Sequence, residues 1–390
     1  MSSLSSVHLK NNARMGVYNN RSVPSSYCDF LEEYKAVREN VLLVDYSHMS
    51  IISVVGDDAW ALVNYIASAD VSIIRDEQGI YSLVLNDDGT VRGDIYTLCT
   101  SEGYYILSEN LSTQTLMEIL QQSLEKADEL DIQEIPKIKS MDVDDWGVIM
   151  LEGPYAWEVM AEVYGFDVIG LPYYEYMNTD DGLMVFRCGK HGEFAYKMIG
   201  PQCALVELWH KLLGVGVKYC LKTGGLDYQA MVRVENTGWD ENLYANYSRN
   251  PVELQMQWAV QYDKDDFIGK SAVEKLSLAK AERKVVGIIP IVECSCLNSN
   301  DKIILNGQEI GLVVKAILSP ALQSYIALAM IDSDFALSDI QGFTIQTAAG
   351  DVAAKTQSVP FIYNLSLLVN PTAHSFVDPS KAKNALSQEN

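Results

Sequence analysis

Apolar positions along this chain fall into two rhythms, and they alternate. Residues 28–40 repeat apolar side chains at three- and four-residue spacing, which predicts a helix ending at Asn40. Residues 42–55 read as one extended, half-buried strand, and Asp57 is placed to cap a helix running to Ile66. Two strand-like runs, Tyr81–Leu85 and Val91–Tyr96, flank Asn86-Asp87-Asp88-Gly89, a turn composition that predicts a hairpin. A strand at 104–108 and a helix at about 112–126 follow, then an acidic polar crossing to 145.

The pattern then repeats in kind. A strand at 147–151 leads through Glu152-Gly153-Pro154-Tyr155 to a helix ending near Val163; strands near 183–188 and 193–199 precede helices at about 202–213 and 227–235. From about residue 283 the texture changes to short β runs, with Asn306-Gly307 a strong hairpin turn. Two related α+β units and an all-β C-terminal domain are therefore expected. Residues after Pro371 are polar and read as a mobile tail.

Composition narrows the classes of function. With 48% apolar residues in a chain of 390, real cores can form. No apolar run approaches the roughly 20 residues that span a bilayer. Met1–Arg14 lacks the apolar centre of a signal peptide, so a cytoplasmic location is expected. A net charge of −23 argues against nucleic acid or an anionic membrane as a partner and does not exclude a small local basic pocket. Seven scattered cysteines suit reduced thiols, and neither they nor the five histidines have metal-ligand spacing, so no metal is expected. GxGxxG, Walker and GxSxG sequences are missing. Ser47 and His48 are adjacent, and neighbours on a strand face opposite ways, so His48 reads as structural.

Asp94 stands out because it interrupts the second strand of the hairpin. Aspartate is depleted in strand interiors, since it competes for local backbone hydrogen bonds and resists burial. A carboxylate fixed on a rigid strand suits acid–base chemistry. The plainer reading is a polar sheet face on which Thr90, Arg92, Asp94 and Tyr96 alternate and Arg92 pairs with Asp94.

A series of short motifs in order resembles the glycine-cleavage aminomethyltransferase family. They are Val44-Asp-Tyr-Ser-His-Met49, the Tyr81–Asp94 hairpin, Leu151-Glu-Gly-Pro154, Gly192-Glu193, Arg233-Val-Glu235, Asp263-Lys-Asp-Asp-Phe-Ile-Gly-Lys270, Leu318-Ser-Pro-Ala-Leu322 and Ile326-Ala-Leu-Ala329. The resemblance runs from about Ala13 to Phe361. It implies an α+β fold of three domains in a ring: 1–45 with 141–250, then 46–140, a connecting segment 251–282, and a barrel-like domain 283–371 before the tail 372–390. It further implies one-carbon transfer to tetrahydrofolate, with Asp94 as the catalytic carboxylate and Met49, Tyr81 and Tyr173 lining the folate pocket.

Departures from the family pattern gather on that same surface. The position of the glutamate that grips the pterin is Lys197, and an ammonium cannot accept the pterin's paired N–H groups as a carboxylate does. A family tyrosine is Lys190, followed by His191; an asparagine is Glu109; the arginine expected at the folate's glutamate tail is Gln229; a further tyrosine is Gly238, beside Trp239. Two readings of the basic residues stand open. One is a pocket retuned for an anionic small molecule facing Lys190 and Lys197, with Asp94 transferring a proton without folate. The other is a Lys–Glu surface in which Lys197 pairs with Glu109 or Glu193, the former pair closing the old pterin site. A non-catalytic protein that keeps only the scaffold is the third alternative.

Overall fold

The computed structural model describes residues 4–363, 366 and 369–383. Two mixed units and a barrel turn one face each toward a common interior. In the first sheet the strands run in the order Tyr176–Asn178, Met184–Arg187, Ala195–Pro201, Trp146–Glu152, Leu42–Asp45 and Lys222–Gly224. All neighbours are antiparallel except the last pair. Side chains alternate across it. Leu43, Ile149, Leu151 and Met198 pack under helices Ala156–Tyr164 and Gln202–Gly216 with Val159 and Trp209. Leu42, Val44, Val148 and Ile199 face the interior.

The second sheet orders Gly79–Leu85, Val91–Thr100, Gly103–Ser108, Ser50–Val55 and Lys137–Ser140. Helices Ala59–Ile66 and Thr113–Ser123 cover Ile52, Val84, Ile95 and Ile106, while Leu83, Tyr96 and Leu107 face inward. Residues 283–357 close a six-stranded barrel around Ile288, Val313, Phe343 and Ile345. Ile326, Leu328 and Met330 on the outside of that barrel join the central core. The expected α+β class with a closed C-terminal barrel is thus what the chain adopts.

Two differences from the sequence reading matter. Residues 42–55 form two strands, Leu42–Asp45 and Ser50–Val55, in different sheets. An apolar run cannot reveal that its strand changes sheets at Tyr46–Met49. Residues 372–383 are not a free tail: Phe376 stacks edge-on against Tyr155 at 5.0 Å and its amide donates to Glu158 over 2.8 Å. Residues 384–390 of the expected tail lie outside the described residues. Lys264 is a buried lysine that joins the connecting segment to the second sheet unit. Its ammonium donates to the carbonyls of Asn64, Ala67 and Ala69 at 2.6, 2.8 and 2.9 Å, and so closes the C-terminal end of helix Ala59–Ile66.

A buried ionic cluster around Arg38 ties the first unit to the barrel through Glu235. Arg38 reaches Glu235 at 2.6 Å and Glu193 at 2.8 Å. Glu235 also accepts from Tyr34 at 2.7 Å and from Ser319 of the barrel at 2.6 Å.

Candidate functional site

A β-bulge decides what surrounds Asp94. Leu83 pairs with Asp94 and Val84 with Gly93, but Leu85 pairs with Val91, so Arg92 is an extra residue on its strand. One extra residue reverses the alternation. Arg92 turns to the helix side, where it lines a groove with Ile119, Gln122 and Ser123. Asp94 faces the interior at 2% exposure. The expected Arg92–Asp94 pair does not form, because the bulge puts the two on opposite faces.

The backbone at Asp94 is held firmly. Its carbonyl accepts from Ser108 Oγ at 2.7 Å, and its amide donates to Asn110 at 3.4 Å. One carboxylate oxygen accepts from Lys190 Nζ; the other, Oδ1, is buried with no regular hydrogen bond among the described residues, and Asp94 lies near enough to Tyr81 to help burial raise that phenol's pKa well above its usual value. Lys190 Nζ also lies 3.5 Å from Glu109, which accepts from Arg233 at 2.6 Å. Burial alone would raise the Glu109 pKa, yet Lys190, Arg233 and Lys197 hold it well below the usual carboxylate range.

The network continues inward. Arg233 Nε donates to His191 Nε2 at 3.3 Å, so that nitrogen must be the acceptor, and the Nδ1 proton is directed at Glu152, 2.9 Å away. Burial lowers the His191 pKa despite Glu152, consistent with a neutral ring.

Lys197 corrects the expected pairing. It sits at 1% exposure between the rings of Tyr46 and Tyr96, 5.1 and 5.4 Å from their centroids. Among the described residues its ammonium has no carboxylate within ion-pair distance; the hydrogen-bond acceptor is Cys188 Sγ at 3.5 Å. Glu193 belongs to Arg38, and Glu109 to Arg233 and Lys190. Burial pushes the Cys188 thiol up to about 11, even with Lys197 opposing, so it is a neutral and weak acceptor.

Two cavities meet here. One, of about 370 Å³, is walled by Tyr81, Tyr96, Tyr174, Trp239, Tyr244 and Trp258, with Lys190 at its edge. The other, of about 590 Å³, is polar and lined by His48, Glu109, Gln229 and Arg233. Lys190 and Trp239 belong to both walls. Tyr96 Oη and Trp239 Nε1, like Asp94 Oδ1, are buried polar atoms with no regular hydrogen bond among the described residues. Buried polar atoms are rarely left unpaired. Tyr96 and Trp239 line the aromatic cavity, and Asp94 lies behind Lys190 on its wall.

Residues 4–264 match the family model described as the GCVT N-terminal domain, and residues 283–362 match the glycine cleavage T-protein C-terminal barrel domain. The chain belongs to the glycine cleavage T-protein family. An aminomethyltransferase from Desulfitobacterium hafniense (strain DSM 10664 / DCB-2) is 26% identical over 362 residues, covering 91% of this chain and 95% of that protein. One from Thermoanaerobacter pseudethanolicus (strain ATCC 33223 / 39E) is 28% identical over 322 residues, covering 81% and 84%. The crystal structure of glycine cleavage system aminomethyltransferase T from Bartonella henselae has the same fold, with a TM-score of 0.77 at 21% identity, covering 93% of this chain and 97% of that one. Among the described residues no helix is long and apolar enough to cross a membrane, and no cluster of histidine, cysteine and carboxylate side chains could hold a metal ion.

Within this T-protein fold the expected site residues separate. Asp94, Lys190 and Glu109 form one cluster, and Tyr81 walls the aromatic cavity, stacked on Trp258 at 5.5 Å. Met49 is buried in the central core. Gln229 donates to the Tyr46 hydroxyl on the wall of the polar cavity. Tyr173 is misplaced: it is 50% exposed, and its hydroxyl donates to the Gly189 carbonyl at 2.5 Å. Its neighbour Tyr174, held at a left-handed φ of 68°, turns into the cavity instead. His48, expected as a structural residue, also reaches the polar cavity. Burial lowers its pKa to about 4, and its Nδ1 has no hydrogen-bond partner among the described residues. Sequence reasoning left out Tyr96, Arg233 and Trp239. Each had a readable signal: Tyr96 follows Asp94 at strand spacing, Arg233 opens the Arg233-Val-Glu235 motif, and Trp239 stands beside Gly238, a departure from the family pattern.

Proposed function

We propose that this protein is a one-carbon transferase of the aminomethyltransferase type whose substrate nitrogen is handled by Asp94 beside the aromatic cavity. The observation that supports this most is Asp94 itself. It is a buried carboxylate on a pinned strand, next to Tyr81 of the aromatic cavity and with one oxygen held by a lysine that lines that cavity. Such a group can order a reacting amine or water, or take a proton from it. The tyrosine and tryptophan walls exclude water and offer flat faces to a small planar or cationic group.

Tetrahydrofolate, the one-carbon acceptor implied by the family, does not fit here in the family manner. The position that should present a carboxylate fork presents the Lys197 ammonium, which only donates. Gln229 is tied to Tyr46. The acid–base role of Asp94 therefore stands without a step through folate. A second reading, an anionic substrate handled without folate, is favoured by Lys197, whose buried ammonium has no oxygen acceptor among the described residues.

The test is turnover of a panel of N-methylated amines, with and without tetrahydrofolate, followed by mass spectrometry of the demethylated products. Asp94→Asn should lower turnover by roughly 100-fold or more while leaving circular dichroism unchanged. Wild-type rates in that variant would sink the role of Asp94. Tetrahydrofolate at millimolar concentration separates the two readings: as the one-carbon acceptor, at a hundredfold excess over its dissociation constant, it would add about 2.7 kcal/mol, and an unmoved thermal midpoint would reject the transferase reading in favour of the folate-independent one.

A further inference from the structure

We infer that Lys190 is an internal, displaceable cation that covers Asp94 and makes the aromatic cavity selective for ligands carrying a positive charge. The inference rests on reading the surroundings of Asp94 as the ligand site. Lys190 lines the cavity, whereas Asp94, at 2% exposure, lies behind it. As the chain stands, the carboxylate is masked by the protein's own ammonium. That ammonium occupies the position a ligand cation would take. It touches the Asp94 carboxylate and lies 5.7 and 5.9 Å from the ring centroids of Tyr81 and Tyr96, within cation–π range.

Lys190 also has somewhere to go. Glu109 Oε2 is 3.5 Å from the same Nζ. The side chain can leave Asp94 and keep an anionic partner by a small rotation. The backbone carrying it, Gly189-Lys190-His191-Gly192, has no regular secondary structure, and Gly192 sits at a φ of +78°.

Selectivity follows from charge balance. A neutral ligand that pushes Lys190 aside leaves a buried carboxylate with no counter-charge, and breaking a buried pair in that way is strongly unfavourable. A cationic ligand replaces one ammonium by another. The aromatic walls favour the same choice, since ring faces attract cations.

The experiment compares choline with its neutral isostere 3,3-dimethylbutan-1-ol on the full chain. Binding is read by calorimetry and by the fluorescence of Trp258, which is 67% exposed and stacked on Tyr81. The wild type should prefer choline by about 100-fold or more. In Asp94→Asn the preference should fall to about tenfold or less, the share left to the ring faces. Lys190→Met should bind choline at least tenfold more tightly, because the ligand no longer competes with Nζ. Equal affinity for the two compounds in the wild type, no choline binding, or unchanged choline affinity in Lys190→Met overturns the inference. The wild-type ratio decides even where a variant fails to fold. Selective choline binding without one-carbon transfer would defeat the proposed function and leave this inference standing; transfer without charge selectivity would do the reverse.

Discussion

Replacing Lys197 by methionine tests whether the interior of this protein holds a charge at a cost. Methionine has nearly the length of lysine and no charge, so Lys197→Met keeps the packing between Tyr46 and Tyr96 and removes only the ammonium. The effective penalty for burying one ion is several kcal/mol. Against it stand two ring faces at 5.1 and 5.4 Å, worth up to about 2 kcal/mol each when desolvated. The thiol of Cys188 at 3.5 Å adds little, being neutral and a weak acceptor. Exchanging such a charge for an apolar isostere typically stabilises by about 1–4 kcal/mol. Urea denaturation followed by circular dichroism should show the midpoint rising with an unchanged slope. The Lys197→Met protein should be no better than wild type in any catalytic assay, since stability gained at a functional site is usually functionally neutral or costly. A loss of more than about 1 kcal/mol would refute the reasoning. It would mean that Glu109 and Glu152, both of which Lys197 helps to keep ionised, compensate its charge from beyond ion-pair distance.

Other consequences can be measured in the same way. Glu235→Gln breaks a fully buried pair with Arg38 and weakens the bonds from Tyr34 and Ser319, and should cost about 3–5 kcal/mol in a denaturation experiment. Lys264→Met strands three carbonyls at the end of helix Ala59–Ile66 and should lower stability by about 2–4 kcal/mol, with early amide exchange at Ala67–Ala69. His48 gives a pH effect of definite sign. Its pKa falls from 6.5 to about 4 on burial, so between those values the unfolded chain binds a proton that the folded chain refuses. Its contribution is therefore lost as pH drops through that window, by about 3 kcal/mol in all. Burial raises Glu193 from 4.5 to about 7, against Arg38 and Ser366, and acts with the opposite sign. The His48 share is then the difference between wild-type and His48→Gln stability profiles, and identical profiles would contradict it.

Much of this architecture could be read from the residues, and the failures have specific causes. The period-two runs at 81–85 and 91–96 and the Asn-Asp-Asp-Gly turn located the hairpin that carries Asp94. The partner of Asp94 was out of reach, because strand alternation assumes an unbroken ladder and the bulge at Arg92 breaks it. Lys190 was singled out as a departure from the family pattern, but its contact with Asp94 joins residues 96 positions apart on two different sheet units. Tyr173 and Tyr174 could not be told apart by type; a left-handed backbone at Tyr174 decides which one faces inward. Pairing Lys197 with a glutamate applied a surface rule to a residue that is 1% exposed.

The central core has one more consequence. Ile326, Leu328 and Met330 of the barrel belong to the same buried cluster as Leu83 and Leu107 of one sheet and Val44 and Ile199 of the other. No single unit encloses that hydrophobic mass. A chain shortened before residue 283 would carry an open apolar surface where the barrel had been, and the barrel alone would expose the complementary patch. Limited proteolysis should therefore release no stable fragment. The polypeptide should lose structure in one cooperative step, and the two cavities should vanish together with the last of the three walls.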